Sequence, residues 1–409
     1  MKHFNTITLA TLLALPLLFV GCAKTKSSNY YRIPWQNSNH EYVLQDVYIS
    51  SFNEPEFLRG TYAEFYVEPQ LDFNQHRMAQ PGTPSGRFAS TQTGSNLALD
   101  TTSLQAVAIY AHLEKLQQLN KFSGADAFVP KRISVGIDVG IITDNKIVDN
   151  NAQYNPSLDS LLFVPYTNTD LPISFNAGVI GHEYFHSIFQ HIVGNAVSSQ
   201  LGFANIDEPT NQSSPIESGD PQAGSQISIK EYNRFVLRGI NEGLADFWGW
   251  IYSGDETFVG RSLSHALESR RLNRKSVQFY GVDFFKAALS ADQNDQVRTA
   301  RAYILGSQYA VYFHNLTLKI FEGKSDEKIR IKMAKALILA LPKFKSEIVG
   351  KVDGEYIAPE IFIKSFLTSI KENLAPKDFD VCASFYEVAP LANSSSMTDL
   401  CPPGVTNAK

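Results

Sequence analysis

His182, Glu183 and His186 stand in the order H-E-x-x-H within His182-Glu183-Tyr184-Phe185-His186. On a helix, residues four apart lie one above the other, so two imidazoles at this spacing can grip one metal ion from one face. The glutamate beside the first histidine can then reach a water on that metal. The chemistry expected of such a trio is that of a catalytic zinc site, which wants three protein ligands and one open position. A third histidine on the same segment does not supply the missing ligand. The glycine and histidine positions of the longer motif H-E-x-x-H-x-x-G-x-x-H are Phe189 and Ile192 here. His191 is one residue off and points about 100° away around a helix.

A later acid fits better. Asn241-Glu242-Gly243-Leu244-Ala245-Asp246 places Glu242 and Asp246 four apart. Glu242 is the expected third ligand. Asp246 can accept the free ring N–H of a zinc histidine and fix its tautomer. Acids near a helix start are also favoured as plain solvent-facing groups. The neighbours Ile240, Leu244, Phe247, Trp248 and Trp250 are apolar, however. Carboxylates in such company need a partner.

The elements that must position these groups follow from periodicity. Residues 30–95 mix short aromatic and β-branched runs with turn residues, and read as strands and loops. Thr101 or Thr102 is the expected cap of a helix over 103–119. Strands are expected at 133–142 and 161–165, and Asn176 opens the helix that carries the histidines. From Ile229 on, segments 229–253, 257–272, 296–322, 325–341 and 357–373 show helical spacing. The expected class is α+β, with a mixed α/β part over 23–195 and a helical part over 229–375. The polar stretch 196–228 reads as an inserted loop, and 376–409 as a loop-rich tail.

The 409 residues are 44% hydrophobic and 19% charged, with a net charge of −5. That is enough for a large core, and no basic patch points to nucleic acid. Residues 1–22 read as a secretory signal, too short and too interrupted by Pro16 to span a bilayer comfortably. Its end, Phe19-Val20-Gly21-Cys22, resembles the lipobox of bacterial lipoproteins. That resemblance implies lipidation at Cys22, with a plain signal peptide as the alternative, and Ala23 would suit an outer-membrane location. Cys382 and Cys401 remain, either as a disulfide across the tail or as two free thiols.

The two acid-and-histidine segments together resemble the gluzincin metallopeptidases, thermolysin-like enzymes in particular. Asn150-Asn151-Ala152-Gln153-Tyr154 is similar to the edge strand of that family, which captures the substrate backbone by adding it to a sheet. The resemblance covers about 100–320 and implies a two-subdomain fold, with an antiparallel sheet in the mixed α/β part and the active helix between the parts. It also implies endopeptidase activity on peptide or protein substrates, with Glu183 as general base and Asn151 and Ala152 as substrate-aligning residues. Where the family has an oxyanion-steadying histidine, this sequence has Tyr303, either in that role or as a helix-face aromatic. Tyr232 lies near the place of a second helper tyrosine, one residue out of register. His265 and His314 are weaker candidates.

Departures are also plain. The 55 residues between His186 and Glu242 exceed the family's spacing. No large propeptide precedes the catalytic region, and no calcium-binding pattern is read in the loop acids Asp207, Glu208, Glu217 and Asp220. An aminopeptidase of the wider group would carry a glycine-x-Met-Glu-Asn motif, yet none of the four methionines precedes Glu-Asn. A zinc-retaining but inactive surface lipoprotein is the non-enzyme alternative.

Overall fold

The computed structural model describes residues 29–72, 77–143, 146–202, 227–275, 281–291, 295–374 and 380–388. The signal segment, Cys22, Cys401 and most of the polar insertion lie outside the described residues. The class is α+β. Among the described residues, three four-stranded sheets occupy the sequence up to Phe163, and every regular element after it is helical. No helix among the described residues is long and apolar enough to cross a membrane.

The sheet that matters for the site runs in the order Ala152–Asn155, Ser160–Phe163, Ile133–Ile137, Ala63–Val67. Its first pair is antiparallel and the other two pairs are parallel, so the expected antiparallel sheet is a mixed one here, because long connections rather than hairpins join its inner strands. Ser160–Phe163 is buried throughout, as an interior strand covered on both faces must be. Ala152–Asn155 forms the edge. The expected strand 133–142 is two strands, Ile133–Ile137 and Gly140–Thr143, because Asp138 turns the backbone with φ 52°.

The first long helix spans Thr101–Ser123. Its cap is Asp100, whose carboxylate accepts from Ser103 N–H, rather than either threonine. The histidine helix, Ala177–Phe189, is capped by Asn176, which accepts from Gly178 and Val179 N–H. The glutamate helix, Ile229–Ser253, starts at Ser228, which accepts from Glu231 N–H, and ends at left-handed Gly254. It packs between the histidine helix and a third helix, Asp295–Ile320. Glu327–Ile348 and Ile361–Asn373 complete the helical part.

Two expectations for the helical part are corrected. The segment 257–272 is not one helix but Phe258–Ser262, a tight turn at Ser264–Ala266, and Leu267–Arg270. Leu263 breaks it by leaving helical geometry, with φ −129° and ψ 76°. The tail also holds a helix, Val381–Val388, whose Cys382 is disulfide-bonded.

His112 shows how the core uses a polar group. Its ring stacks on Trp35 at 4.2 Å, and its Nδ1 lies 2.8 Å from the Tyr252 hydroxyl. Burial, then the Lys115 charge, pulls its pKa from 6.5 down to about 3. Between those two values the unfolded protein binds a proton that the folded protein refuses. Stability from this group is therefore complete above pH 6.5 and is lost as pH falls towards 3. In metal-free protein the loss should approach about 1.4 kcal/mol per pH unit. Urea unfolding at pH 5 and pH 7 checks this, since His112→Phe should flatten the slope relative to the parent. Equal slopes would mean that His112 is charged in the folded state.

Candidate metal centre

The histidine helix brings His182 and His186 onto one face, as their spacing requires. Their Nε2 atoms are 3.1 Å apart, with the rings perpendicular at 89°. The glutamate helix presents Glu242 to the same point. Its Oε2 lies 3.5 Å from His182 Nε2 and 3.9 Å from His186 Nε2. All three residues are buried, and their ligand atoms lie within 4.8 Å of one another.

Chemistry says what this cluster can hold. Among the described residues, Glu242 Oε2 is buried with no hydrogen-bond partner. Two imidazole nitrogens face each other across 3.1 Å. Three carboxylates, Glu183, Glu242 and Asp246, crowd around them, with Arg270 as one fixed counter-charge. A divalent cation between the nitrogens and Glu242 would take up both imidazole nitrogens and the Glu242 oxygen at once.

Asp246 Oδ1 lies 3.0 Å from His182 Nδ1 on the side away from the cluster. Arg270, at the end of the short helix Leu267–Arg270, grips both oxygens of Asp246, with Nε 3.1 Å from Oδ2. Burial opposes the charge on Asp246, but Arg270 and His182 prevail and hold its pKa below the usual range. Burial likewise opposes a proton on His182. Asp246, Glu242 and Glu183 override it and raise the pKa to about 9. Burial raises Glu242 too, yet His182, His186 and Arg270 bring it well down. The metal-free cluster therefore holds a proton on His182 where a cation would serve the same carboxylates.

Glu183 is poised beside the cluster, with Oε1 3.9 Å from His182 Nε2. Its other oxygen, Oε2, accepts a hydrogen bond of 2.9 Å from the backbone N–H of Tyr154 on the edge strand. Burial pushes its pKa above the ordinary carboxylate range, against the pull of both histidines. The edge strand is pinned a second time. Tyr154 hydroxyl donates to Asp159 Oδ1 at 2.8 Å, and the same oxygen lies 3.3 Å from His191 Nε2. His191, one residue out of register for a ligand, thus ties the segment just after the histidine helix to the edge hairpin.

Asn151 C=O accepts from Val164 N–H, so Asn151 turns its backbone into the sheet. By strand alternation Ala152 turns its N–H and C=O towards the open edge. Tyr303, on helix Asp295–Ile320, stands close enough to Glu242 that this carboxylate is the main cause of its raised pKa. Its ring lies under the Arg270 guanidinium at 5.2 Å.

The structure does not bring Tyr232 to the site. Ten residues along the helix from Glu242 place it about 15 Å away, where it is buried against Tyr356 at 5.1 Å. His314 is also elsewhere, buried beside Glu256 Oε1 at 3.0 Å, and His265 is exposed. Arg270 and the Tyr154 N–H have no counterpart among the residues expected from the sequence. A backbone donor leaves no mark on residue type, and Arg270 falls in a segment whose apolar spacing reads as one continuous helix. No protein-family model matches this protein, and no curated protein matches it.

Proposed function

We propose that this protein is a zinc-dependent endopeptidase of thermolysin-like fold, exported and held to the cell envelope by lipid at Cys22. The observation that carries the catalytic reading is the meeting of His182, His186 and Glu242 beside a carboxylate, Glu183, that an edge strand holds in place. The lipid and export reading rests on the signal segment and its lipobox alone.

His182, His186 and Glu242 would hold the zinc. When bound, zinc lowers the pKa of a water and polarises the peptide carbonyl. Glu183 takes a proton from the attacking water and passes it to the leaving amine. A raised pKa suits a group that must accept and then return a proton. Tyr303 keeps its own proton, because Glu242 and burial disfavour the phenolate, and so donates to the developing oxyanion. Ala152 aligns the peptide by backbone pairing at the sheet edge. Asp246, held by Arg270, fixes the His182 ring.

That last role brings its own prediction. Asp246→Asn should weaken zinc binding about 10- to 100-fold, the usual cost of losing an orienting carboxylate. Competition against a chelating dye measures it, and unchanged affinity would remove Asp246 from the role. The function itself is tested by cleavage of a quenched peptide library. Cleavage should vanish in chelator and return with zinc, at internal peptide bonds. Zinc bound without any cleavage would instead support an inactive binding protein, and loss of single amino-terminal residues an aminopeptidase.

A further inference from the structure

The sheet at the start of the described chain leaves an apolar face open. Its order is Tyr42–Tyr48, Tyr30–Gln36, Asn96–Ala98, Phe88–Ser90. Tyr31, Ile33 and Trp35 turn inward and are buried, so Tyr30, Arg32 and Pro34 turn outward. Their partners across the strand pair, Tyr48, Asp46 and Leu44, share that outer face. Asn96 pairs with inward Tyr31, which turns its neighbour Leu97 outward as well. Leu44 is 66% exposed, Tyr48 56%, Tyr30 49% and Leu97 41%. The Tyr30 and Tyr48 rings lie against each other at 5.2 Å.

The charges on this face cancel. Arg32 grips Asp46 with two hydrogen bonds, of 3.0 and 3.2 Å. At the far margin of the sheet Arg87 Nε stands 3.9 Å from Asp100 Oδ2. Glu41, in the hairpin turn beyond the face, is held by Asn37 Nδ2 at 3.1 Å. Tyr42–Tyr48 is also an outermost strand, with Asp46 as its one charge and no proline. Such edges are ordinarily guarded by charge, proline or a cover.

The place where the chain enters the sheet points to the cover. Tyr30 begins the sheet, and Cys22 lies eight residues before it. Eight residues span at most about 29 Å, so a lipid at Cys22 keeps this end of the sheet within that distance of the bilayer. At such range even a weak surface contact forms, because the tether raises the effective concentration. Tyrosine suits the headgroup layer, with an apolar ring and a polar hydroxyl.

We propose that the outer face of this sheet lies on the lipid surface, with Tyr30, Leu44, Tyr48 and Leu97 in the headgroup layer. Anchor and sheet together then fix how the molecule stands on the membrane, where a lipid alone would leave it free to swing. This rests on the lipid at Cys22 proposed above.

The test uses the full protein purified from the membrane fraction and placed in phosphatidylcholine vesicles. Mass spectrometry of the N-terminal peptide first establishes the acyl group on Cys22. Hydrogen exchange then reads the amides of Tyr42–Tyr48. They should exchange at least about tenfold more slowly than in the acylated Leu44→Gln/Tyr48→Gln variant on the same vesicles. Both side chains are exposed, so the variant keeps its fold. Added salt should leave the difference unchanged, because the charges of the face are paired. Acylated protein with equal exchange in parent and variant overturns the inference and leaves the lipid reading intact. Protection that needs anionic phosphatidylglycerol and fades in salt overturns it too. Protection that rises with protein concentration in the absence of vesicles overturns it in favour of a second copy of the chain. An unacylated Cys22 overturns both readings.

Discussion

Replacing Glu183 with glutamine is expected to cut peptide hydrolysis by about two to four orders of magnitude while zinc still binds. The amide is nearly the same shape and keeps an oxygen to accept from Tyr154 N–H, the 2.9 Å bond that fixes the side chain. What it cannot do is take a proton. The stability of the variant separates this from simple damage. Glu183 is buried, and burial disfavours its charged form. A neutral amide relieves that penalty, so the metal-free variant should unfold no earlier than the parent. Loss of activity together with equal or higher stability identifies a proton-transfer role. Activity within about tenfold of the parent would exclude Glu183 as the general base and leave catalysis to other groups.

Legibility in the sequence follows how tightly chemistry dictates spacing. His182, His186, Glu242 and Asp246 are readable because two helical pairs four apart must each present one face, and the structure brings the first three to one point with Asp246 behind the His182 ring. The edge strand is readable only through resemblance, since Ala152–Asn155 is four residues long and has little pattern of its own. Tyr232 is misplaced by sequence reasoning because register along a helix is unforgiving. Ten residues move a side chain about 15 Å, whatever its type. Arg270 escapes notice because the break at Leu263 is a backbone event, and the apolar spacing of 257–272 runs straight through it. The close approach of helices at glycines is invisible for a related reason. A glycine's neighbour lies far away in sequence, and only the fold names it.

That approach yields the second large effect. The glutamate helix crosses helix Asp295–Ile320 at Gly243, directly after the candidate ligand Glu242. A Cβ at Gly243 would sit 2.3 Å from Gly306 O and 2.8 Å from Gly306 Cα. Both are backbone atoms, so the contact offers no flexible group to swing aside. In a helix interior Gly→Ala would otherwise stabilise by roughly 0.8–1 kcal/mol. Overpacking costs about 1–3 kcal/mol, and the rigid backbone on both sides favours the upper end. The clash should therefore win, and Gly243→Ala should lower stability by about 1–2 kcal/mol net. The chemical effect should be larger. The two helices can relieve the contact only by parting, and they bear Glu242 and Tyr303. Misplacement of about 1 Å costs on the order of a hundredfold in rate. Gly354→Ala is the control, because nothing lies within 4 Å of its added Cβ. Urea unfolding and peptide cleavage on both variants decide the matter. If Gly243→Ala proves more stable than the parent, helix propensity outweighs the crossing, and the spacing of the two helices does not set the geometry of the metal centre.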